Sequence, residues 1–380
     1  MPILREELDA LSKYGVLKSE IPEIITTNLN PDFPLRDYQK EALFRFIFYI
    51  SDYQERIKPT HLLFHMATGS GKTLIMAAAI LYLYQQGYRN FIFFVNSTNI
   101  IEKTRDNFTN PRSSKCLFAP SLKAGDRRLH IQEVENFQAT NPQDISILFT
   151  TIQGLHSSLN TPRENALTYE DFEDKRIVLI SDEAHHINAL TKSAGKRNKG
   201  EAENINTWEA TVSRIFRASP ENLLLEFTAT VELDHPAIAA KYRDKILYQY
   251  SLKEFREDGF SKEVKTLQAD LLPLDRALQA IVVSQYRRKV AEDHRVLLKP
   301  VVLMKSRLIH KSKEFEETFH QALADLTGDR LQALKTATSS PVIRQAFAYF
   351  EKQGISLENL AQEIRVEFGP TKCLSVNSKS

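Results

Sequence analysis

Cysteine is nearly absent from this sequence: Cys116 and Cys373 are the only two among 380 residues. Two isolated cysteines do not indicate a disulfide framework or a cysteine-based zinc site. Long apolar runs are absent as well. The first ten residues mix acidic and basic side chains, unlike a secretory signal, and the apolar stretch 74–84 is shorter than the roughly 20 residues that span a bilayer. These absences predict a cytoplasmic protein with no membrane partner.

An excess of charge of one sign is also missing, because the formal net charge is only +2. That value neither predicts nor excludes a nucleic-acid partner. Two local basic segments, 192–199 and 287–289, are interpreted as solvated loop or helix faces. The chain contains no internal repeat and no low-complexity tract, and its 42% hydrophobic content suits two or three globular units.

Residues 67–73 predict a phosphate-binding loop, since an apolar strand precedes them and an apolar helix follows. Glycines allow the backbone N–H groups and the helix N-terminus to approach the β- and γ-phosphates closely. Lys72 supplies a charge between the phosphates, and the Thr73 hydroxyl can bind Mg²⁺. Met66 stands where the usual motif begins with glycine. The predicted nucleotide-binding residues of the loop are Thr68, Gly69, Ser70, Gly71, Lys72 and Thr73.

Adjacent carboxylates, Asp182 and Glu183, end a second apolar strand. In open α/β folds ligands bind at the carboxyl ends of the strands. We therefore expect Asp182 to hold Mg²⁺, directly or through water, and Glu183 to polarise the attacking water. Of the two histidines that follow, His185 is interpreted as a coupling residue and His186 as a packing or capping residue.

Two further motifs are too short to indicate a function by themselves, and only their order along the chain supports one. Thr228 and Thr230 flank an alanine after another apolar strand. They predict a coupling motif, whose hydroxyls bond the carboxylates of the acidic motif and pass the nucleotide state to another domain. An ordinary strand end is the alternative interpretation. Upstream, Gln39 offers an amide that can read the adenine edge, with Arg36 beside it. A solvated glutamine at a helix start explains the same residues equally well.

Small polar side chains follow two other strands and are candidates for contacts with nucleic-acid phosphates. For Ser97 and Thr151, capping of the next helix is an equally good explanation. A capped helix leaves neighbouring amides free for phosphate, so both roles can hold. The candidates are Asn96, Ser97, Thr150, Thr151 and Gln153.

The order of these motifs resembles that of the superfamily 2 helicases and translocases. More narrowly, the chain resembles the ATP-dependent restriction subunit of type III restriction-modification enzymes. The resemblance extends over nearly the whole chain and rests on residues 66–73, 94–97, 149–154, 182–186, 225–230 and 250–259. It implies ATP and Mg²⁺ as cofactors, duplex DNA as the track, and a DNA methyltransferase subunit as partner.

Apolar strands that alternate with helices predict an α/β fold, a RecA-like domain with a mainly parallel sheet. The five strands expected in this domain are 61–65, 91–95, 145–150, 176–181 and 223–227. We expect an N-terminal helix and connector (1–34), the RecA-like domain (35–247), a linker with a helix (248–299) and the incomplete start of a second RecA-like domain (300–380). Strands are expected at 300–304 and near 373–377, and a loop at 191–205. The arginine motifs that complete the ATP site in this superfamily, and a nuclease, are not recognisable, which predicts a truncated chain with weak turnover.

Three functions remain open at this level. The first is an ATP-driven translocase or helicase on duplex DNA, and the second is an RNA-remodelling helicase, because the ATP motifs do not distinguish the two nucleic acids. The third is a module that binds ATP and DNA with little turnover. A metabolic kinase is disfavoured because it would not need the Thr-Ala-Thr motif.

Overall fold

The computed structural model describes residues 3–17, 20–138, 140–161, 167–182, 199–231, 233, 235–261 and 271–376. The chain divides into two compact units, Met1–Glu263 and Val264–Ser380. The first unit is an α/β domain, and the described part of the second is helical. Among the described residues, no helix combines the length and apolarity needed to cross a membrane.

The described part of the first unit contains nine strands: β1 (Thr60–Met66), β2 (Asn90–Val95), β3 (Leu122–Ala124), β4 (Arg127–Leu129), β5 (Ile131–Glu133), β6 (Ile145–Thr151), β7 (Ile177–Asp182), β8 (Leu223–Thr228) and β9 (Ile246–Tyr250). Seven of them form one sheet in the order β5-β6-β2-β7-β8-β1-β9. Every neighbouring pair in this sheet is parallel. The remaining two, β3 and β4, pair as an antiparallel hairpin.

The helices of the first unit cover both faces of this sheet. They are α1 (Leu4–Lys13), α2 (Glu23–Asn28), α3 (Asp37–Ser51), α4 (Lys72–Gln85), α5 (Thr98–Thr109), α6 (Ile152–Asn160), α7 (Lys199–Arg217), α8 (Pro236–Tyr242) and α9 (Leu252–Glu257), with a 3-10 turn at Glu170–Phe172. One face packs on α3 and α4 around Phe46 and Phe64, and the other packs on α6 and α7 around Ile92 and Phe94. Burial on both faces explains why the strands are almost continuously apolar.

Helix α4 is the central helix of the unit, since all residues from 74 to 84 are buried. A helix that is apolar all round must be enclosed by protein. Its position directly after β1 fixes the phosphate-binding loop between a buried strand and a buried helix.

The described part of the second unit contains α10 (Pro273–Asp293), α11 (Ile309–Ala324), α12 (Gly328–Ala337), α13 (Pro341–Lys352) and α14 (Leu357–Glu367), followed by a 3-10 turn at Pro370–Lys372. These helices share one core that includes Leu278, Leu331 and Phe347. Ion pairs join α10 to α14, including Arg288 with Glu367 at 2.6 Å and Lys289 with Glu363 at 3.2 Å.

The RecA-like α/β fold of the first unit is confirmed, and all five strands predicted there are present. The strand predicted at 300–304 was wrong, as was a strand near 373–377, of which residues 373–376 are described and form none. The described part of the second unit contains helices only, so it lacks the sheet that a second RecA-like domain requires. A strand needs a neighbour for its backbone groups, and Pro300 has no N–H to donate. Val301 and Leu303 are accordingly each 88% exposed.

The loop predicted at 191–205 was also wrong in part. From Lys199 onward the chain is helical, as the first turns of α7. Polar composition favoured a loop, but α7 continues to Arg217 and buries Val212 and Ile215 against the sheet. Packing of that later apolar face stabilises the helix as a whole and overrides the local preference.

Candidate functional site

Three of the sequence motifs meet at the carboxyl edge of the sheet. Strand β8 lies between β1, which leads into the phosphate-binding loop, and β7, which ends at Asp182. The registers pair His65 with Thr228 and Asp182 with Phe227. The loop, the acidic motif and the Thr-Ala-Thr motif therefore follow three adjacent strands, as ligand sites in open α/β sheets require.

The backbone of the phosphate-binding loop is fixed by two glycines and two hydrogen bonds. Gly69 and Gly71 have φ values of 82° and 78°, in the left-handed region that other residues rarely adopt. The Ser70 N–H donates to the Ala67 carbonyl oxygen at 3.2 Å, and the Ala67 N–H donates to the Tyr250 carbonyl oxygen at 2.9 Å. Strand β9 thus holds the start of the loop.

Lys72 lies inside the curve of the loop and is only 8% exposed. Its Nζ atom is 3.4 Å from the Met66 carbonyl oxygen and 3.5 Å from that of Ala67. Thr73 is half-buried in the first turn of α4. A cation at the N-terminus of a helix, beside exposed backbone at Thr68 and Gly69, is an arrangement that binds phosphate groups.

Gln39 and Tyr38 of α3 contact the top of this loop. The Gln39 Nε2 and the Tyr38 hydroxyl each donate a hydrogen bond to the Ser70 carbonyl oxygen, both at 2.9 Å. The Gln39 Oε1 accepts from the Arg36 backbone N–H at 2.9 Å. Gln39 is 3% exposed, so it is not a solvated helix-start residue. Its assignment as a reader of adenine stays a prediction.

Sequence patterns missed an aromatic cluster beside this contact. The Tyr38 ring stacks on Tyr250 with centroids 4.2 Å apart, and Phe255 and Phe260 meet Tyr38 edge-on at 6.1 and 5.4 Å. The Arg36 guanidinium lies 4.3 Å from the centroid of Phe260. The only sequence signal was the abundance of aromatic residues in 248–260, which does not by itself predict contact with residues some 200 positions earlier.

The acidic motif is described only at its first member. Asp182 is half-buried at the last position of β7, one strand beyond the Thr-Ala-Thr motif. Glu183, His185 and His186 lie outside the described residues. Mg²⁺ prefers oxygen ligands, and the Asp182 carboxylate and the Thr73 hydroxyl are of that kind, so the side chains present fit the ion chemically.

The Thr-Ala-Thr motif closes on itself as a tight turn. The Thr228 Oγ1 donates to the Thr230 carbonyl oxygen at 3.1 Å and accepts from the Thr230 N–H at 3.2 Å. Ala229 is therefore the apex of the turn. Strand β8 presents this apex between the phosphate-binding loop and the acidic motif.

The candidate nucleic-acid contacts occupy the same edge, two and three strands from β8. Asn96 and Ser97 follow β2, and Thr150 and Thr151 end β6, which pairs with β2. The Thr151 Oγ1 accepts a hydrogen bond from the Gly154 N–H at 2.9 Å, so Thr151 caps α6. Asn96 is exposed, whereas Ser97, Thr150, Thr151 and Gln153 are half-buried. Ser97 precedes α5 but makes no capping hydrogen bond through its side chain.

Farther down the same strands, a buried ion pair joins β1 to β8. The His61 Nε2 and the Glu226 Oε2 are 2.7 Å apart, and their side chains are 11% and 5% exposed. Burial alone would raise the pKa of the Glu226 carboxyl, but the charge and hydrogen bond of His61, with smaller contributions from Lys241 and Tyr242, together outweigh burial, so the pKa lies below its ordinary value.

Comparison with known proteins agrees with this arrangement. The family described as "Type III restriction enzyme, res subunit" matches residues 32–233. The chain is 38% identical over 316 residues to the probable type III restriction-modification enzyme HindVIP Res subunit of Haemophilus influenzae, covering 77% of this chain and 60% of that one. It is 24% identical over 241 residues to the type I restriction enzyme EcoAI endonuclease subunit of Escherichia coli, covering 62% of this chain and 24% of that one. The chain therefore spans less than two thirds of the length of these relatives.

Two solved structures are also similar, at low TM-scores. The UvsW helicase from bacteriophage T4 gives a TM-score of 0.33 at 13% identity, covering 65% of this chain and 77% of that one. The Sulfolobus solfataricus SWI2/SNF2 ATPase core in complex with dsDNA gives 0.37 at 13% identity, covering 80% and 60%. Neither score is high enough to carry an argument about this chain.

The family match includes every motif from Gln39 to Thr230 and extends over more than half of the chain. The HindVIP relative is similar over an even larger share of it. This chain belongs to the family of type III restriction enzyme Res subunits.

Proposed function

We propose that this chain is the ATP-binding motor of a type III-like restriction enzyme and couples ATP hydrolysis to movement on duplex DNA. The observation that carries the proposal is the meeting of three motifs on adjacent strands, β1, β8 and β7. Such an edge can hold the nucleotide, its metal and a reporter of nucleotide state together. Membership in the Res family supports duplex DNA as the track.

Each assigned side chain has a separate part in the chemistry. Lys72 binds the β- and γ-phosphates as a point charge, and the backbone of residues 69–71 orients them. Thr73 and Asp182 would hold Mg²⁺, which neutralises charge developing on the transferred phosphoryl group. We assign Glu183 to polarising the attacking water and His185 to coupling. Gln39, with Arg36, reads the base.

Duplex DNA would bind along the same edge, at Asn96, Ser97, Thr150, Thr151 and Gln153. Contacts with phosphate from hydroxyls, amides and helix N-termini position a protein without reading sequence, as a translocating motor requires. A DNA methyltransferase is the proposed partner, supported by a relative named as a subunit of a restriction-modification enzyme. The cytoplasm is the compartment in which such an enzyme would meet DNA.

Turnover by these residues alone is proposed to be slow. All assigned groups come from the first unit, and none is an arginine facing the transferred phosphoryl group. An arginine finger contributes roughly 10³–10⁵ in rate. We therefore expect Mg-ATP binding with very low hydrolysis, barely stimulated by duplex DNA. We also expect no nuclease activity from residues 1–380, because no nuclease motif is recognisable in them.

The test is equilibrium binding of Mg-ATP to the 380-residue chain and to Lys72→Ala, with Lys253→Ala as the matched control. Lys253 is an exposed lysine on α9. Lys72→Ala should weaken binding at least 100-fold, because the charge between the phosphates is lost, and Lys253→Ala should not change it. Equal affinities for wild type and Lys72→Ala would reject the nucleotide site. Equilibrium binding of the same chain to duplex DNA and to RNA, measured by fluorescence anisotropy, then separates the two nucleic-acid tracks.

A further inference from the structure

A row of polar side chains crosses three strands just before the phosphate-binding loop. The β1–β9 register places Gln249 opposite His65, and the β1–β8 register places Thr228 opposite the same histidine. Residues opposite one another in paired strands project from the same face of a sheet. The Arg5 side chain of α1 donates a hydrogen bond to Gln249 at one end of this row. The other end is the Thr-Ala-Thr turn.

His65 makes the contact that joins the row to this turn. Its ring donates a hydrogen bond to the backbone of Ala229, the apex of the turn. His65 stands two residues before Ala67, where the phosphate-binding loop begins. One half-buried side chain thus connects the strand that carries the loop to the motif that follows the neighbouring strand.

The surroundings of His65 favour a neutral ring. Burial lowers the pKa of the imidazole below its ordinary value against the raising effect of the Ala229 hydrogen bond, and the charges of Arg5 on α1 and Lys72 on α4 lower it further, against the smaller raising effect of Glu254 on α9. A neutral imidazole has one N–H and one bare acceptor nitrogen. The Nδ1 atom is buried without a hydrogen-bond partner among the described residues, so Nε2 is the donor to Ala229.

We propose that His65 is a positioning residue that transmits nucleotide occupancy from the phosphate-binding loop to the Thr-Ala-Thr turn. The inference rests on the proposed function, since it assumes that phosphates bind beside Lys72. Those phosphates would neutralise one of the two cations acting on the His65 ring and would fix the end of β1. The hydrogen bond to Ala229 then carries any displacement of that end directly into the turn.

The experiment measures coupling without requiring turnover. The dissociation constant of the 380-residue chain for a fluorescent duplex DNA is determined with and without a saturating non-hydrolysable ATP analogue and Mg²⁺. The ratio of the two constants is the coupling factor, which for linked sites is typically about 5–150. Three variants are compared. The amide N–H of His65→Gln can replace the Nε2 donor. The side chain of His65→Asn is too short to reach Ala229, and that of His65→Leu has no donor.

All three variants should bind the analogue within about twofold of wild type. The coupling factor should fall to about 1 in His65→Leu and His65→Asn, and should be retained in His65→Gln. Retention of the wild-type factor by His65→Leu, or its equal loss in His65→Gln, overturns the inference. Failure of wild type to bind the analogue rejects the proposed function itself. Binding of the analogue with no change in DNA affinity rejects the coupling role alone.

A measurement on wild type, which needs only the mildest variant for its assignment, tests the role even if His65→Asn and His65→Leu do not fold. In ¹⁵N-histidine spectra, the His65 signal is assigned by its loss in His65→Gln, the mildest variant. It should report a neutral ring with the hydrogen on Nε2 at pH 7, and it should shift when the ATP analogue binds. A protonated ring at pH 7, or a signal unchanged at saturating analogue, contradicts the role.

Discussion

Gln39 donates a hydrogen bond from Nε2 to the carbonyl oxygen of Ser70, at 2.9 Å, and so joins the start of α3 to the phosphate-binding loop. The same amide accepts from the Arg36 N–H through Oε1. Among the described residues, no further hydrogen bond uses its second Nε2 hydrogen or the second lone pair of Oε1, so both can contact a base. A residue that reads adenine would therefore also set the position of the loop.

This arrangement predicts a selective loss in Gln39→Ala. Removing the amide should weaken ATP binding about tenfold, because each lost hydrogen bond contributes about 0.5–1.5 kcal/mol. Inorganic triphosphate, which has no base, should lose less affinity. Tyr38→Phe is the matched control, since it removes the other hydrogen bond to Ser70 and should weaken both ligands equally. Competition titrations decide the matter, and equal affinity of wild type for ATP, GTP and CTP would exclude adenine reading.

Gly71 is predicted to be irreplaceable for two separate reasons. Its φ of +78° is unfavourable for any residue with a Cβ, and that Cβ would stand 2.5 Å from the Gln39 Nε2 atom. Gly71→Ala should therefore displace the Gln39 amide and weaken Mg-ATP binding at least tenfold. Gly125 supplies the control, with a φ of +62° and nothing within 4 Å of an added Cβ.

Gly125→Ala carries comparable backbone strain, of order 1–2 kcal/mol, at a distance from the loop. It should lower the melting temperature without changing nucleotide affinity. If Gly71→Ala binds nucleotide as well as Gly125→Ala does, the close approach of Gly71 to the Gln39 amide is not required for nucleotide binding.

The first unit was largely predictable because its signals are local. Each of its five predicted strands is a short apolar run, and Gly69 and Gly71, both with positive φ, mark the phosphate-binding loop. The stacking of Tyr38 on Tyr250 was not predictable, since sequence order gives no indication that residues so distant meet. Nor was the capping bond of Thr151 distinguishable from a phosphate contact.

The second unit shows where local signals fail. Residues 300–304 carry the same apolar pattern as a buried strand, yet the described part of that unit has no strand to pair with them. Burial of a strand depends on partners that a five-residue window does not contain. At the start of α7 the local prediction fails in the opposite sense. Its polar residues predict a loop but are helical, because Val212 and Ile215 farther along the same helix pack against the core.

Thr151 provides a way to separate capping from DNA contact. Aspartate is as good an N-cap as threonine, so Thr151→Asp should preserve stability while placing a negative charge where DNA phosphate is proposed to bind. DNA affinity should fall about tenfold. Thr151→Ala should instead cost about 1 kcal/mol of stability and weaken DNA binding only about threefold, because it removes one neutral hydrogen bond and adds no charge.

Thr327 caps α12 in the second unit through a hydrogen bond from the Arg330 N–H at 3.3 Å, so Thr327→Asp controls for the added charge alone. Fluorescence anisotropy with duplex DNA and thermal melts give both quantities. Unchanged DNA binding by Thr151→Asp would leave Thr151 as a cap only.

The buried pair of His61 and Glu226 predicts a pH-dependent contribution to stability. The folded-state pKa of Glu226 is lowered, so the folded state binds fewer protons at this site than the unfolded state does. Its contribution is therefore present above the ordinary carboxyl value, about 4.3, and is lost as pH falls through the lower folded value. Glu226→Gln should cost about 2 kcal/mol at pH 7, where a charge-assisted hydrogen bond is lost. The difference from wild type should shrink steadily below about pH 4.3.

Trp208 makes this measurement specific to the first unit. It is the only tryptophan, and it packs against the core beneath α7, so its fluorescence in urea follows unfolding of the domain that holds the pair. The double variant Glu226→Gln with His61→Gln should recover part of the loss, since it leaves no buried ring without its carboxylate partner. A Glu226→Gln difference that stays constant from pH 7 to pH 3.5 would show that the Glu226 charge contributes nothing to the stability of the fold.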